Sequence, residues 1–573
     1  MIICKMKLPL RALFVLLFFL LVASLTGWRL YDLQIAHGAF YRALANGQQT
    51  QFFDANGQRG KIFATDDGEL TVLSTVKEQY YCFAVPKEIE DREKAKTELA
   101  KLLSIGEDVI SNKLSDQESQ FAELKDKLSP EEVNALGKLA LKGIYVRKKY
   151  VSFFPHGKVA SNVLGYVDRD GKGLYGVEGY YDDILSPSQG MVASVKGLQE
   201  YLTPESREMK NGADIVLTLD VNIQKKAQEL LEDAGQKFNM ESGQIIVMDP
   251  YSGRIIALAN YPDYDPNDYS KYAGNMAVFQ NWAVQKLYEP GSVFKAVTMA
   301  IGIETGSVSP TTTYTDPCKE KFDRFLIGNY DGRCWGKRNM TEVLERSINT
   351  GMIFVERQIG HEKYYEYLSN FGFFRKTGVD MAGEAVSGNE NLKSMRDINF
   401  ATCSFGQGIS ITPLRLAVAY SVLANGGNVM KPYIVEKIVR ADGTVKETKP
   451  EIEYPNVISP ETAATVRQML NAVTESGYSQ YARVKGYFVG GKTGTAQQPG
   501  PGGYTKKTWH TFAGIAPIYN PKYVIIIKLD NPAASEASAS AAPIFAKLGE
   551  YALNYAHVPT ERAVEEFKYK PVQ

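Results

Sequence analysis

Tyr288–Gly306 reads YEPGSVFKAVTMAIGIETG. Pro290 and Gly291 punctuate the chain, and the run after them is apolar nearly all round until Gly306. That pattern predicts a buried helix with Ser292 in its first turn. Lys295 follows three residues later, which puts hydroxyl and amine on one helix face. A serine is a poor nucleophile until a base takes its proton, and a lysine serves as that base only when neutral. Burial and a nearby second cation both lower an ammonium pKa. The helix N-terminus adds backbone N–H groups for a developing oxyanion. Alone the pair is a weak signal, because Ser-x-x-Lys arises by chance in a long chain. A second copy stands at Ser74–Lys77 in LSTVK. It lies in a β-rich stretch with no helix start and reads as surface.

Two further pieces raise the odds. LERSINTGMIFVERQIG carries Ser347 and Asn349 two apart beside a helical pattern. Ser347 could relay a proton and Asn349 could hold a substrate amide. A plain helix cap, which Ser and Asn fill well, is the blander reading and is favoured for this pair alone. GGKTGTA, at 490–496, follows the apolar run GYFV, so Lys492 lies on or at the start of a strand. Thr493 and Thr495 alternate with Gly494, which lets a substrate backbone approach closely. A lysine and two hydroxyls on a strand edge suit a carboxylate. The same Lys-Thr-Gly occurs in FFRKTGVD, at 376–378. Aromatic residues precede that copy and Asp380, Gly383 and Glu384 follow it, so it reads as a loop with Lys376 solvated.

Ser292-Val-Phe-Lys295, Ser347-Ile-Asn349 and Lys492-Thr-Gly494, in that order, resemble the three motifs of the penicillin-recognising serine transpeptidases. Much of the remaining chain resembles the class B penicillin-binding proteins. RGKIFATDDGELTVLS is similar to their membrane-proximal motif. FFPHGKVASNVLGYVDRDGKGLYGVEGYYDDIL is similar to their pedestal signature, with Gly165, Gly176 and Glu178 in the expected places. The likeness runs on through LTLDVNIQ, VMDPYSGRIIALANYPDYDPN and SFGQGISITPLRLAVAYSVLANGG to HTFAGIAPIYNP. Ile348 stands where a second serine is common, but a residue between two inward ones should point away.

The resemblance implies an antiparallel sheet packed on a helical lobe, an α+β or α/β fold, preceded by an elongated α+β pedestal. It implies peptidoglycan cross-linking outside the cytoplasmic membrane. Ser292 would attack the penultimate D-Ala carbonyl of a stem peptide, with Lys295 as acylation base. Ser347 would link that base to the leaving amine, and Asn349 would bind the stem amide. Lys492, Thr493 and Thr495 would hold the terminal carboxylate, with Gly494 beside them. The backbone N–H groups of Ser292 and Thr495 would form the oxyanion hole. No cofactor or metal is implied. The implied partners are stem peptides on lipid-linked or nascent glycan, the cytoplasmic membrane and β-lactam antibiotics. No glycosyltransferase motif set is visible, so a SEDS-type glycosyltransferase is a further expected partner. The pedestal wording leans toward the division type. A β-lactamase shares the motifs but needs a group that activates a deacylating water and no pedestal. A β-lactam sensor needs an output domain for which residues 1–11 are too few. A scaffold that has lost catalysis conflicts with the intact motifs.

The bulk numbers agree with a large globular chain. At 573 residues it exceeds one ordinary core. Lys+Arg and Asp+Glu are equal at 65 each, and no basic cluster with interleaved aromatics suggests nucleic acid. Five His show no ligand spacing. Residues 1–11 carry Lys5, Lys7 and Arg11, and 12–28 then run without a charge. The absence of a clean small-x-small site argues for an uncleaved transmembrane anchor over a signal peptide. The leading positive residues place 1–11 in the cytoplasm and the catalytic part outside. The expected organisation is a tail at 1–11, the anchor at 12–28, a pedestal at 29–211, a transpeptidase-like domain at 212–558 and a polar tail at 559–573. Of five Cys, Cys318 and Cys334 flank DRFLIGNYDGR, which could form a hairpin through Asn329–Gly332. A disulfide between them and two separate buried thiols remain equally open.

Overall fold

The computed structural model describes residues 50–116, 119–187, 189–195, 211–330, 332–501 and 503–563, with scattered positions between 20 and 31. The expected anchor at 12–28 lies mostly outside these residues, as does most of the polar tail. Among the described residues no helix is long and apolar enough to cross a membrane. The chain divides into two units. One comprises 1–58 with 187–212, and in it Thr50–Asn56 pairs antiparallel with Gln189–Val195. The other comprises 59–186 with 213–573 and holds every candidate catalytic residue.

In the larger unit the alternating text after Gly60 forms strands β1 (Ile62–Asp66) and β2 (Glu69–Ala84), joined through Asp67 and Gly68, both at positive φ. β2 pairs along most of its length with β3 (Ile144–Phe153). Two charged amphipathic stretches form helices, at Arg92–Leu103 and Pro130–Leu139. Ser129 and Glu132 close a capping box on the second. Strand β4 (Asp214–Asp220) lies parallel to β1 and antiparallel to Val435–Val439, within a seven-stranded sheet.

Beyond β4 and helix α1 (Val221–Phe238), two β-rich runs around Asp249–Gly253 form a hairpin, β5 (Ser242–Met248) and β6 (Ile255–Tyr261). The apolar run after Ser292 becomes α2 (Lys295–Glu304). α3 (Asn349–Ile359), α4 (Pro413–Ala424) and α5 (Pro460–Glu475) complete the main helices of the lobe. Strands β7 (Gly490–Gly500), β8 (Gly503–Ala516) and β9 (Tyr523–Asp530) return to the same sheet, where β9 pairs with β5, and α6 (Ala541–Tyr555) closes the unit. The sheet order is β6-β5-β9-β8-β7, antiparallel throughout, so strands from both ends of this region share one sheet. β4 stays out of it.

Strand alternation gives that sheet two apolar faces. Ile246, Ala513 and Ile526 pack into the helical lobe, where all twelve residues of α4 are buried. Ile245, Phe512 and Ile525 pack with α1 and α6 on the other side. β7 is an outer strand and leaves one edge open for an extended ligand.

Two local expectations fail. Cys318 and Cys334 are joined as a disulfide, but the hairpin they bracket turns at Asp323–Arg324 and not at Asn329–Gly332. Asp323 takes the positive φ that the turn needs, and Asn329 is used elsewhere. Ser74, read as surface, is buried, and its hydroxyl donates to Glu178 Oε1 at 2.7 Å. Glu178 is itself fully buried and paired with Arg59 at 2.7 Å. A buried carboxylate needs such partners to offset its lost hydration, and Ser74 supplies one of them.

Candidate active site

The chain before α2 makes one 3-10 turn, Gly291–Phe294, which carries Ser292. Gly291 has φ +62° and donates its N–H to Gly406 O at 2.9 Å. A Cβ at Gly291 would stand 2.9 Å from Ala496 Cβ, so the turn sits directly against β7. Gly494 completes that contact. A Cβ there would lie 2.9 Å from Pro290 O and 3.1 Å from Val293 Cγ1. The sequence suggested that Gly494 admits a substrate backbone. The structure fills that space with the protein's own serine turn.

Lys295 is fully buried one turn after Ser292. Its Nζ is 2.6 Å from Ser347 O, 2.7 Å from Asn349 Oδ1 and 3.2 Å from Ser347 Oγ. No carboxylate among the described residues pairs with it. Burial lowers its pKa well below the usual lysine value, and the charge of Lys492 lowers it further. Lys492 is also fully buried, on β7, with Nζ donating to Thr493 O at 3.1 Å. Burial brings its pKa down to about 7, with Glu536 acting in the opposite direction. Thr493 is nearly buried, and Thr495 Oγ1 accepts the Ala537 N–H at 3.1 Å. That bond leaves the Thr495 hydroxyl proton available to a ligand.

Ser347 has φ +55°, rare for a residue with a side chain. Ile348 follows in extended backbone, φ −76° and ψ 120°, with its side chain fully buried in the lobe core. An extended residue sends its neighbours to the opposite side. Ser347 and Asn349 therefore both meet Lys295, and neither is the helix cap favoured for the pair alone, because Ile348 holds the N-cap position. Lys295, Ser347, Asn349 and Lys492 thus gather beside the Ser292 turn from three chain segments, with Thr493 to Thr495 following Lys492 on β7.

Some residues around the site escape a reading of the sequence. Glu289 Oε1 accepts the Gly408 N–H at 3.1 Å and Oε2 the Tyr504 hydroxyl at 2.9 Å. It ties the serine turn both to the 404–408 segment and to the β7–β8 hairpin. Burial raises its pKa, while the two bonds act to lower it. Its place directly before Pro290-Gly291 was the available signal. Asp316 and Asn329, beside the two cysteines, support Asn349. The other Lys-Thr-Gly lies in a loop with Lys376 exposed, and the Thr377 and Gly378 N–H groups donate to the Glu384 carboxylate.

Two family profiles match the chain. "Penicillin binding protein transpeptidase domain" matches residues 243–550, and "Penicillin-binding Protein dimerisation domain" matches residues 54–217. Stage V sporulation protein D of Bacillus subtilis is 32% identical over 538 residues, covering 91% of this chain and 82% of that protein. A probable peptidoglycan D,D-transpeptidase PenA of Neisseria meningitidis is 31% identical over 506 residues, covering 85% of this chain and 83% of its own. The crystal structure of penicillin binding protein 3 of Mycobacterium tuberculosis, complexed with aztreonam, superposes with a TM-score of 0.69 at 28% identity. It covers 90% of this chain and 99% of that one.

Proposed function

We propose, for a chain that belongs to the class B penicillin-binding protein transpeptidase family, that Ser292 is the nucleophile of a D,D-transpeptidase cross-linking peptidoglycan stem peptides. Ser292 Oγ attacks the penultimate D-Ala carbonyl while Lys295 Nζ takes its proton. The peptide C–N bond then breaks, and the proton passes by way of Ser347 to the departing D-Ala amine. The acyl group stays on Ser292 as an ester. An amine of a neighbouring stem attacks that ester, forms the cross-link and returns the proton to Ser292.

One observation carries this reading: a lysine buried without a counter-ion, one turn from Ser292. A neutral amine has two N–H donors and one lone pair. Ser347 O and Asn349 Oδ1, the two shortest contacts, take the donors. The lone pair is left to receive the Ser292 proton. Asn349 holds the stem amide through its Nδ2. Lys492, Thr493 and Thr495 receive the terminal carboxylate on the open edge of β7. The Ser292 and Thr495 N–H groups stabilise the oxyanion.

β-Lactams acylate the same serine, a reading supported by the aztreonam complex of the mycobacterial relative. The uncharged run at 12–28 supports a membrane anchor, with the catalytic unit on the outer face. A SEDS-type glycosyltransferase supplies the glycan. Co-purification with such a partner, lost on swapping residues 1–60, tests that part. The chemistry is tested with a labelled penicillin. A long-lived adduct that disappears in Ser292→Ala is expected. Rapid turnover of the adduct would make the protein a β-lactamase, and labelling that survives Ser292→Ala would discard the site.

A further inference from the structure

Helix α3 begins at Asn349, and the residue in its N-cap position is Ile348, whose apolar side chain caps nothing. The first N–H groups of a helix have no partner within it. Here Asn329 provides one from twenty residues upstream: its Oδ1 accepts the N–H of Asn349 at 3.1 Å and of Thr350 at 3.3 Å. Asn329 is fixed in turn. Its Nδ2 donates to Asp316 Oδ2 and to Arg333 O, both at 2.9 Å. Asp316 also accepts the Thr350 hydroxyl at 2.7 Å, the Cys318 N–H at 2.8 Å and the Trp335 N–H at 2.7 Å. Asp316, Asn329 and Thr350 are 6%, 8% and 0% exposed, so water cannot substitute for these bonds. The Cys318–Cys334 disulfide ties together the two ends of the excursion that presents Asn329.

The residue before Asn329 acts on the Asn349 side chain itself. Gly328 O accepts from Asn349 Nδ2 at 3.0 Å. A carbonyl only accepts, and Lys295 Nζ donates to the other end of the same amide. The Asn349 carboxamide therefore has one orientation, with a single N–H hydrogen left over.

We infer that Asp316 and Asn329 are positioning residues that aim this last Asn349 N–H at the amide carbonyl of the acyl donor. They set the preference for donors that carry an amide next to the reacting bond. The inference rests on the proposed role of Asn349.

The test compares two penicillins on the full-length protein, following acylation of Ser292 by intact mass. Benzylpenicillin carries an acylamino carbonyl, and 6-aminopenicillanic acid has the same ring system without it. Asn329→Ala is expected to lower the ratio of the two acylation rates by about tenfold, the size of one lost hydrogen bond. Thr350→Val keeps the shape and removes the hydroxyl that bonds Asp316 at 2.7 Å and lies 3.3 Å from Asn329 Oδ1, leaving both of those side chains in place. It should shift the ratio the same way by less, and it decides the matter if Asn329→Ala shows no melting transition. Equal slowing of both compounds, or of neither, overturns the inference, since a general structural role would not change the ratio. Asn349→Ala separates the two levels. If it leaves the ratio unchanged, the proposed role of Asn349 fails. If it lowers the ratio and the network variants do not, only the positioning role fails.

Discussion

The two Lys-Thr-Gly copies have the same side chains and opposite environments. Lys492 is fully buried on an outer strand, packed by way of Gly494 against the turn that carries Ser292. Lys376 is exposed in a loop whose next two N–H groups are taken by Glu384. Burial moves the Lys492 pKa to about 7, while an exposed ammonium keeps its hydration. Gly494 is a glycine because a Cβ there would lie only 2.9 Å from the backbone oxygen of Pro290. Gly378 is one because of its φ of +71°. A tripeptide is thus not a unit of chemistry. Its surroundings decide whether the lysine is a ligand or a solvated surface charge.

The largest effect expected lies on the buried side of this comparison. Removing the proposed base with Lys295→Ala should slow penicillin acylation by about 10²–10⁴-fold, the usual contribution of a positioned base. Lys492→Ala should slow it by about 10²-fold, as when a charge-assisted contact to substrate is lost. Stopped-flow or gel-based labelling checks both. Wild-type acylation in Lys295→Ala would remove it as the base.

The next effect is on pH dependence. In the proposed mechanism Lys295 acts as a neutral base, so acylation should fall as pH drops through its depressed pKa. Burial is the first cause of that depression and the Lys492 charge the second. Lys492→Gln removes the second cause, the Lys295 pKa rises, and the acid limb of the rate profile should move to higher pH. The two lysines titrate as a coupled pair, so the limb belongs to both. An unmoved limb would show that burial alone sets the Lys295 pKa, and one displaced toward acid would show that the Lys492 charge does not lower it.

Much of the site could be read in the sequence because its motifs follow local rules. Helix periodicity placed Ser292 and Lys295 on one face, and an extended Ile348 turned Ser347 and Asn349 the same way. The β5–β6 hairpin and the Ser129 capping box are also local patterns. What could not be read depends on long-range pairing. Nothing near Asn329 indicates that it caps a helix twenty residues later, and its Asn-Tyr-Asp-Gly context pointed to a hairpin turn instead. Ser74 looked like strand surface because its partner Glu178 lies more than a hundred residues away. The close approach of Gly494 to Pro290 required knowing that an outer strand from the chain's end lies against a turn from its middle.

The smallest effects belong to the solvated copy, and they are the sharpest check on the contrast. A Cβ at Gly378 would touch only Lys431 Cε, at 3.4 Å. Gly378→Ala therefore meets no steric block and costs only the positive φ, about 1 kcal/mol of stability. Calorimetry should show a lower melting temperature with the acylation rate unchanged. Lys376→Ala removes a charge that water already surrounds. It should change stability by less than about 0.5 kcal/mol and leave acylation within error of wild type. The same substitution would then be severe at 492 and silent at 376. If Lys376→Ala slowed acylation as Lys492→Ala does, the loop would be part of the substrate path and burial would not be what separates the two lysines.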